Sequence, residues 1–277
     1  MSLNHLKVIL ICVSITFSVF GWGDQGHKLI NRHAMSNLPK EMELFKAWTD
    51  SVSENAPQPD KRRSWDSTEY PKHFIDLDFY DEFKDYKIVK SKSELIEKYG
   101  DSLVSAMGIL PWNTLDFYNQ LVDAFRNKDK SKAIFNMAYL GHYIADAHNP
   151  MHTILNYDGI LTNQKGLHSR YESRMFNRFY KKIKYGLKPV LPTQINCIEK
   201  YVWDYILASH NYNQLIFVSD IEAASVDSGY GEKYYSIMWF RLQHFTTQTL
   251  NDAVESIVSI YYSAWINAGK PEFSEFN

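Results

Sequence analysis

The 277-residue sequence has only two cysteines, Cys12 and Cys197, which excludes a disulfide-framed fold. Its 12 glycines and 9 prolines are too few for a loop-rich β-sandwich and suit a mostly helical chain. Charge of one sign is also missing: 30 Lys+Arg against 32 Asp+Glu leave a net charge of −2. That balance excludes a protein that holds nucleic acid through a strong global positive field, though not a nuclease gripping phosphates through metal ions. What the chain does have is a 45% hydrophobic content, enough for a real core, and 15% aromatic residues, which suit grooves lined with rings.

Lys7 precedes the apolar run Val8 to Phe20, and Gly21 follows. A short positive region, an apolar stretch and a small residue form the pattern of a secretory signal peptide. The run falls short of the ~20 residues that span a bilayer, so cleavage after Gly21 is expected rather than an uncleaved anchor. Ile11 stands before Cys12 where a lipoprotein signal wants a small residue. Cleavage would leave Trp22 as the new N-terminus and Cys197, read as a buried thiol, as the single cysteine. An exported protein without disulfides needs other cross-links, and metal ions supply them.

Segment 24–49 carries Leu29, Ile30, Ala34, Leu38, Met42 and Phe45 at spacings near three and four, which predicts one amphipathic helix. Residues 50–72 are polar, with Pro57, Pro59 and Pro71, and read as a long loop. Helical character returns at 91–99 and from Trp112 to Arg126. The apolar run from Lys132 to Ala147 predicts a buried helix stopped by Asn149-Pro150. A glycine-containing loop, 156–166, leads to a helix at 167–183, and long helices are expected at 193–209 and 232–266. With no repeat and no linker-like composition, residues 22–277 read as a single all-α domain behind a leader at 1–21.

Four patches carry the chemistry. His142 and Asp146 lie four apart, so they share a helix face, and His plus carboxylate suits zinc. Within an apolar helix Asp146 needs a strong partner. Pro150 ends the helix, which lets His152 turn back toward the same site. His168 and Glu172 repeat the four-residue spacing, and two helices with such pairs can clasp metal between them. Asp60 before Lys61-Arg62-Arg63, and His73 before Asp76 and Asp78, form a weaker loop patch. The basic run, like Lys181, Lys182 and Lys184, reads as solvated surface. The fourth patch is Trp22-Gly-Asp24-Gln-Gly26-His27, where a freed amine, the Trp22 carbonyl and His27 could chelate one ion. His148 points away from Asp146, and His33, His210 and His244 show no partner pattern.

In order, Trp22, His27, Asp60, His73, His142-x3-Asp146-x5-His152 and His168-x3-Glu172 resemble the zinc-dependent phospholipase C / S1–P1 nuclease superfamily. The resemblance runs from the signal junction to Glu172. It implies an all-α exported phosphodiesterase with three zinc ions in a cleft. One zinc would take Asp60, His73, His142 and Asp146, and a second His152, His168 and Glu172. The third would take the Trp22 amine and carbonyl, His27 and Asp146. Asp60 and Asp146 would be the catalytic carboxylates, and water activated between zinc ions the nucleophile.

The substrate divides the superfamily. The four residues between Trp22 and His27 resemble the nuclease branch. Glu172 as last ligand and the short gap from His152 to His168 resemble the phospholipase branch, and the lack of paired cysteines departs from fungal and plant nucleases. The reading favours a phospholipase C-like hydrolase of phospholipid, with Phe74, Phe79, Tyr80 and Trp65 available for an apolar rim. A single-strand nuclease is the alternative, with nucleic acid as substrate, and a non-catalytic, zinc-stabilised envelope binding protein is a further one. Periplasmic or secreted placement and peripheral membrane contact follow, and no protein partner is inferred. Edman sequencing of the exported protein is expected to begin at Trp22; a retained residue 1–21 segment would remove the terminal amine from the site.

Overall fold

The computed structural model describes residues 22–84 and 91–276, so the expected leader and its cut lie outside the described residues. All regular structure among the described residues is helical. The first helix, α1 (Gly23–Ser36), ends earlier than its apolar spacing predicts. Pro39, extended at ψ 165°, stops it, and the rest of the expected helix is a 3-10 segment, Lys40–Trp48. The expected loop at 50–72 is instead mostly helical, in α2 (Thr49–Asn55), α3 (Gln58–Arg62) and a 3-10 turn, Tyr70–His73. Pro59 sits in the first turn of α3, where its missing N–H costs nothing, so the prolines start a helix here rather than break one.

Next come α4 (Lys92–Tyr99), α5 (Asp101–Ala106), α6 (Leu110–Arg126) and α7 (Lys130–Ala147). The Asp129 side chain caps α7 by accepting from the Lys132 backbone N–H. From Asn136 to Ala147 α7 is buried on every side, as its continuous apolar run predicts. Beyond the loop, α8 (Leu167–Ser169) runs through a π turn, Arg170–Met175, into α9 (Phe176–Gly186). Three helices complete the chain: α10 (Ile198–His210), α11 (Asn213–Val226) and α12 (Glu232–Asn267). The helix expected from 193 starts only at Ile198. Sequence periodicity misses α11 because apolar residues surround it: Ile216 and Phe217 are buried while Leu215, Val218 and Ile221 are exposed. Cys197, expected to be buried, is exposed.

The 36-residue α12, about 54 Å long, packs along α1, α6, α7 and α11 and closes the core around α7. Among the described residues no helix is long and apolar enough to cross a membrane. The tightest point is Gly141, where a Cβ would stand 2.0 Å from Asn31 Oδ1 and 2.6 Å from the Tyr261 hydroxyl. The missing side chain therefore sets how closely α1 and α12 approach α7, one residue from His142. Gly141→Ala is expected to lower unfolding free energy by about 1–3 kcal/mol through overpacking, measured by urea denaturation.

Candidate metal centre

One face of α7 presents His142 and Asp146, with Nε2 and Oδ2 3.2 Å apart. The 3-10 turn after α3 brings His73 to them, its Nδ1 2.9 Å from Asp146 Oδ2 and 3.0 Å from His142 Nε2. Asp60 on α3 points Oδ1 to within 3.6 Å of His73 and 3.9 Å of His142. From α1, His27 stacks on His142 at 3.8 Å. His27 Nε2 lies 3.4 Å from Asp146 Oδ1 and 3.8 Å from Asp60 Oδ2. Trp22 is buried beside this group, its indole N–H donating to the Ala145 carbonyl at 2.9 Å. The Trp22 carbonyl itself accepts the Gly26 N–H at 3.2 Å.

A second group adjoins the first. His168 Nε2 is 2.6 Å from Glu172 Oε2 and 3.1 Å from His152 Nε2, which is itself 3.2 Å from Glu172. Glu172 stands in the π turn, an irregularity frequent at functional sites. Eight of the nine sequence-derived candidates thus gather into buried groups of three or more potential metal donors. Trp22 lies alongside. Asp76 and Asp78 belong to none of these groups, although Asp76 is buried close enough to His152 to feel its charge. His148 turns away: its Nδ1 donates to the Ile144 carbonyl at 2.8 Å and its ring stacks on Tyr205. His33 and His210 are likewise occupied by carbonyls, of Lys188 and Thr153.

The two groups are full of unused polar atoms. Both ring nitrogens of His27, Asp60 Oδ2, Asp146 Oδ1 and His168 Nδ1 are buried without a hydrogen bond. Such orphans are rare in native proteins and costly. The buried carboxylates and imidazoles shift one another's protonation. Burial opposes it, yet the nearby His142 and His152 charges hold the Asp146 carboxyl well below the usual range. Burial likewise works against protonation of His152, but Asp146 and Glu172 push it up to about 9. His142 is raised too, against its burial, by Asp146 and Asp60. His27 goes the other way, lowered by burial and by His142.

Residues outside the predicted set fix the donors. His142 Nδ1 donates to the Ala56 carbonyl at 2.9 Å and His152 Nδ1 to the His73 carbonyl at 2.7 Å, so both keep Nε2 for the interior. Asn149, read only as a helix stop, donates its amide to Glu172 Oε2 at 2.7 Å. Glu69 is buried 3.6 Å from His73 Nε2, accepts from the Tyr143 hydroxyl and pairs with Lys72 at 3.1 Å. A lone Glu ahead of a proline offers no pattern, so only its four-residue spacing to His73 could have pointed to it. Gly108, at φ +88°, lets the chain press against the Phe74 carbonyl, where a Cβ would stand 2.1 Å from the oxygen. The bond from Leu110 N to that carbonyl, at 3.1 Å, then pins the His73 loop.

The basic run also departs from expectation. Arg63 is not solvated; it pairs with Asp60 Oδ1 at 2.9 Å and lines a narrow cleft over the two groups. Tyr70, Phe74, Met151 and Tyr157 form its apolar wall. Phe79 and Tyr80 are core residues and take no part in this rim, whereas Trp65 is 69% exposed. Lys181, Lys182 and Lys184 are solvated, as expected.

A family model described as zinc-dependent phospholipase C matches residues 26–219, a stretch that holds all eight clustered side chains. The chain belongs to that family. The structure is similar to alpha toxin from Clostridium absonum, with a TM-score of 0.54 at 13% identity. The similarity covers 88% of this chain and 63% of the toxin, so this zinc-dependent phospholipase C family member spans under two thirds of the toxin's length. At that identity the likeness is one of fold. No curated protein matches its sequence.

In this family member Glu69 offers a test of how firmly His73 is held. Burial would raise its carboxyl, but His73, Tyr143 and Lys72 hold it down to about 2 from an ordinary 4.5. A depressed folded-state value stabilises the protein above the unfolded value, and that stability is lost as pH falls toward the folded value. Metal-free wild type is expected to exceed Glu69→Gln by on the order of 2–3 kcal/mol above pH ~5. The gap should close between pH 4.5 and 2, as followed by denaturant melts across that range.

Proposed function

We propose that the chain is an exported zinc-dependent phosphodiester hydrolase acting on phospholipid in the manner of a phospholipase C. The observation that carries the reading is the convergence of eight buried His, Asp and Glu side chains whose orphaned atoms face one another. Nitrogen and carboxylate donors of this kind suit zinc, whose ligands in a tetrahedral site stand about 3.3 Å apart at bonds of ~2.0–2.1 Å. Zinc would be held by Asp60, His73, His142 and Asp146, by His152, His168 and Glu172, and by the freed Trp22 amine and carbonyl with His27 and Asp146. When bound, it supplies Lewis acidity toward a phosphoryl oxygen and a lowered water pKa.

The chain's own residues do the rest. The Ala56 and His73 carbonyls orient the rings of His142 and His152, and Glu69 faces His73 in the manner of a carboxylate–histidine pair behind a metal. Asp60 and Asp146 remain ionised and set the charge that draws a cation. Arg63, at the cleft wall, is placed to meet a phosphodiester anion. The apolar wall of Tyr70, Phe74, Met151 and Tyr157, with Ile160 and Leu161 exposed on the loop bearing Tyr157, favours a lipid. The short Trp22-to-His27 spacing favours the nuclease reading, in which the same rings would stack bases. The leader-like residues 1–21 support export, and cleavage there would complete the site.

The experiment assays the zinc-loaded, cleaved protein on phosphatidylcholine vesicles and single-stranded DNA side by side. Hydrolysis of the lipid is expected, falling at least ~100-fold in His142→Ala. Faster turnover of DNA would replace this reading with the nuclease, and bound zinc without turnover of either would leave a structural role.

A further inference from the structure

The ring of His168 is held differently from its neighbours in the metal centre. His142 and His152 each donate Nδ1 to a backbone carbonyl, which fixes the plane of the ring. His168 Nδ1 is buried without a hydrogen bond, and ring contacts with His152 and Tyr157, at 4.9 and 5.4 Å, leave it without that brace. Its aim toward Glu172 and His152 therefore depends on the backbone that carries it. That backbone runs straight into the π turn, a rare departure from regular helix that contacts outside the turn must hold in place.

Arg170 supplies those contacts. It stands midway between His168 and Glu172 in the sequence, and residues two apart on a helix do not share a face, so it leaves on the side away from both donors. The residue is 3% exposed, and each of its guanidinium nitrogens has a partner. Nε donates to Asp220 Oδ1 at 2.9 Å and to the Tyr234 hydroxyl at 3.1 Å. Nη1 donates to the Lys165 carbonyl at 2.7 Å and Nη2 to the Gln164 carbonyl at 2.9 Å. The Tyr230 ring covers the guanidinium at 4.2 Å. Gly166 makes room for it, since a Cβ there would stand 3.0 Å from Nη1. Asp220 belongs to α11 and Tyr234 to α12, so one side chain ties the π turn to two helices and to the end of the loop that carries Tyr157. A buried ion pair adds little to stability over apolar packing of similar volume, whereas a planar fork with fixed N–H directions sets an orientation.

We propose that Arg170 is a positioning residue: by clamping the π turn to α11, α12 and the 164–165 carbonyls it sets the aim of His168 and Glu172, and with it the zinc affinity of the group they form with His152. This rests on reading those three residues as a zinc site, and His168→Ala, which should lose that zinc, serves as the reference. The zinc-loaded, cleaved protein would be dialysed against buffers of falling free zinc and its metal counted by atomic absorption, with no substrate present. Arg170→Lys keeps the charge and gives up the fork. It is expected to hold one zinc, the one missing from His168→Ala, at least ~10-fold more weakly than wild type, with the other zinc affinities unchanged. Tyr234→Phe, which keeps its ring in the core, should weaken the same zinc by a smaller factor. Melts at saturating zinc separate a purely structural role. Arg170→Lys that melts lower yet binds every zinc as tightly as wild type overturns the proposal, as does equal weakening at every site. Where Arg170→Lys does not fold, unchanged zinc affinity in Tyr234→Phe overturns it. A full zinc complement in His168→Ala would instead overturn the site assignment beneath it.

Discussion

The rest of this molecule depends on one arrangement: ionisable side chains buried together with too few hydrogen bonds among them. Asp60 and Asp146 lie in a protein interior beside imidazoles that face them at 2.9–3.9 Å. Burying such carboxylates is costly unless a positive charge stands close by, and the chain brings only imidazoles and Arg63. The helices around α7 therefore hold a charged interior in register while they bury the apolar core around it. Gly141 permits the close packing, α1 delivers His27, and the short α3 delivers Asp60.

Much of this was legible from spacing alone. The pairs His142/Asp146 and His168/Glu172 are four apart, and a helix of any surroundings aligns them. Asn149-Pro150 foretold the turn that brings back His152. Where reading failed, the cause was non-local. Nothing near Pro57 and Pro59 says that they open a helix against α7, so Asp60 looked like a loop residue. Arg63 looked solvated because its partner, Asp60, and its cleft exist only after folding. The Ala56 carbonyl acts through His142, and Glu69 is held by Tyr143, both tens of residues away along the chain and beyond any local pattern.

The same distinction separates rings by role. Phe79 and Tyr80 fill the core, while Phe74, close to them in sequence, lines the cleft, because the bond to its carbonyl from Leu110 turns the chain between them. Composition announces many rings but not which will face solvent, and α11 shows the converse, with apolar side chains left outside a helix that has no polar face.

One bond carries a consequence for how the interior fills. The His73 backbone carbonyl receives the His152 ring, and the His152 carbonyl receives the Ile75 N–H at 2.9 Å, so the two donor groups share a single stretch of main chain. Whatever settles His73 also sets the angle of His152, and the reverse holds with equal force. The two donor groups are thereby joined through one stretch of backbone, and a shift in either is passed to the other.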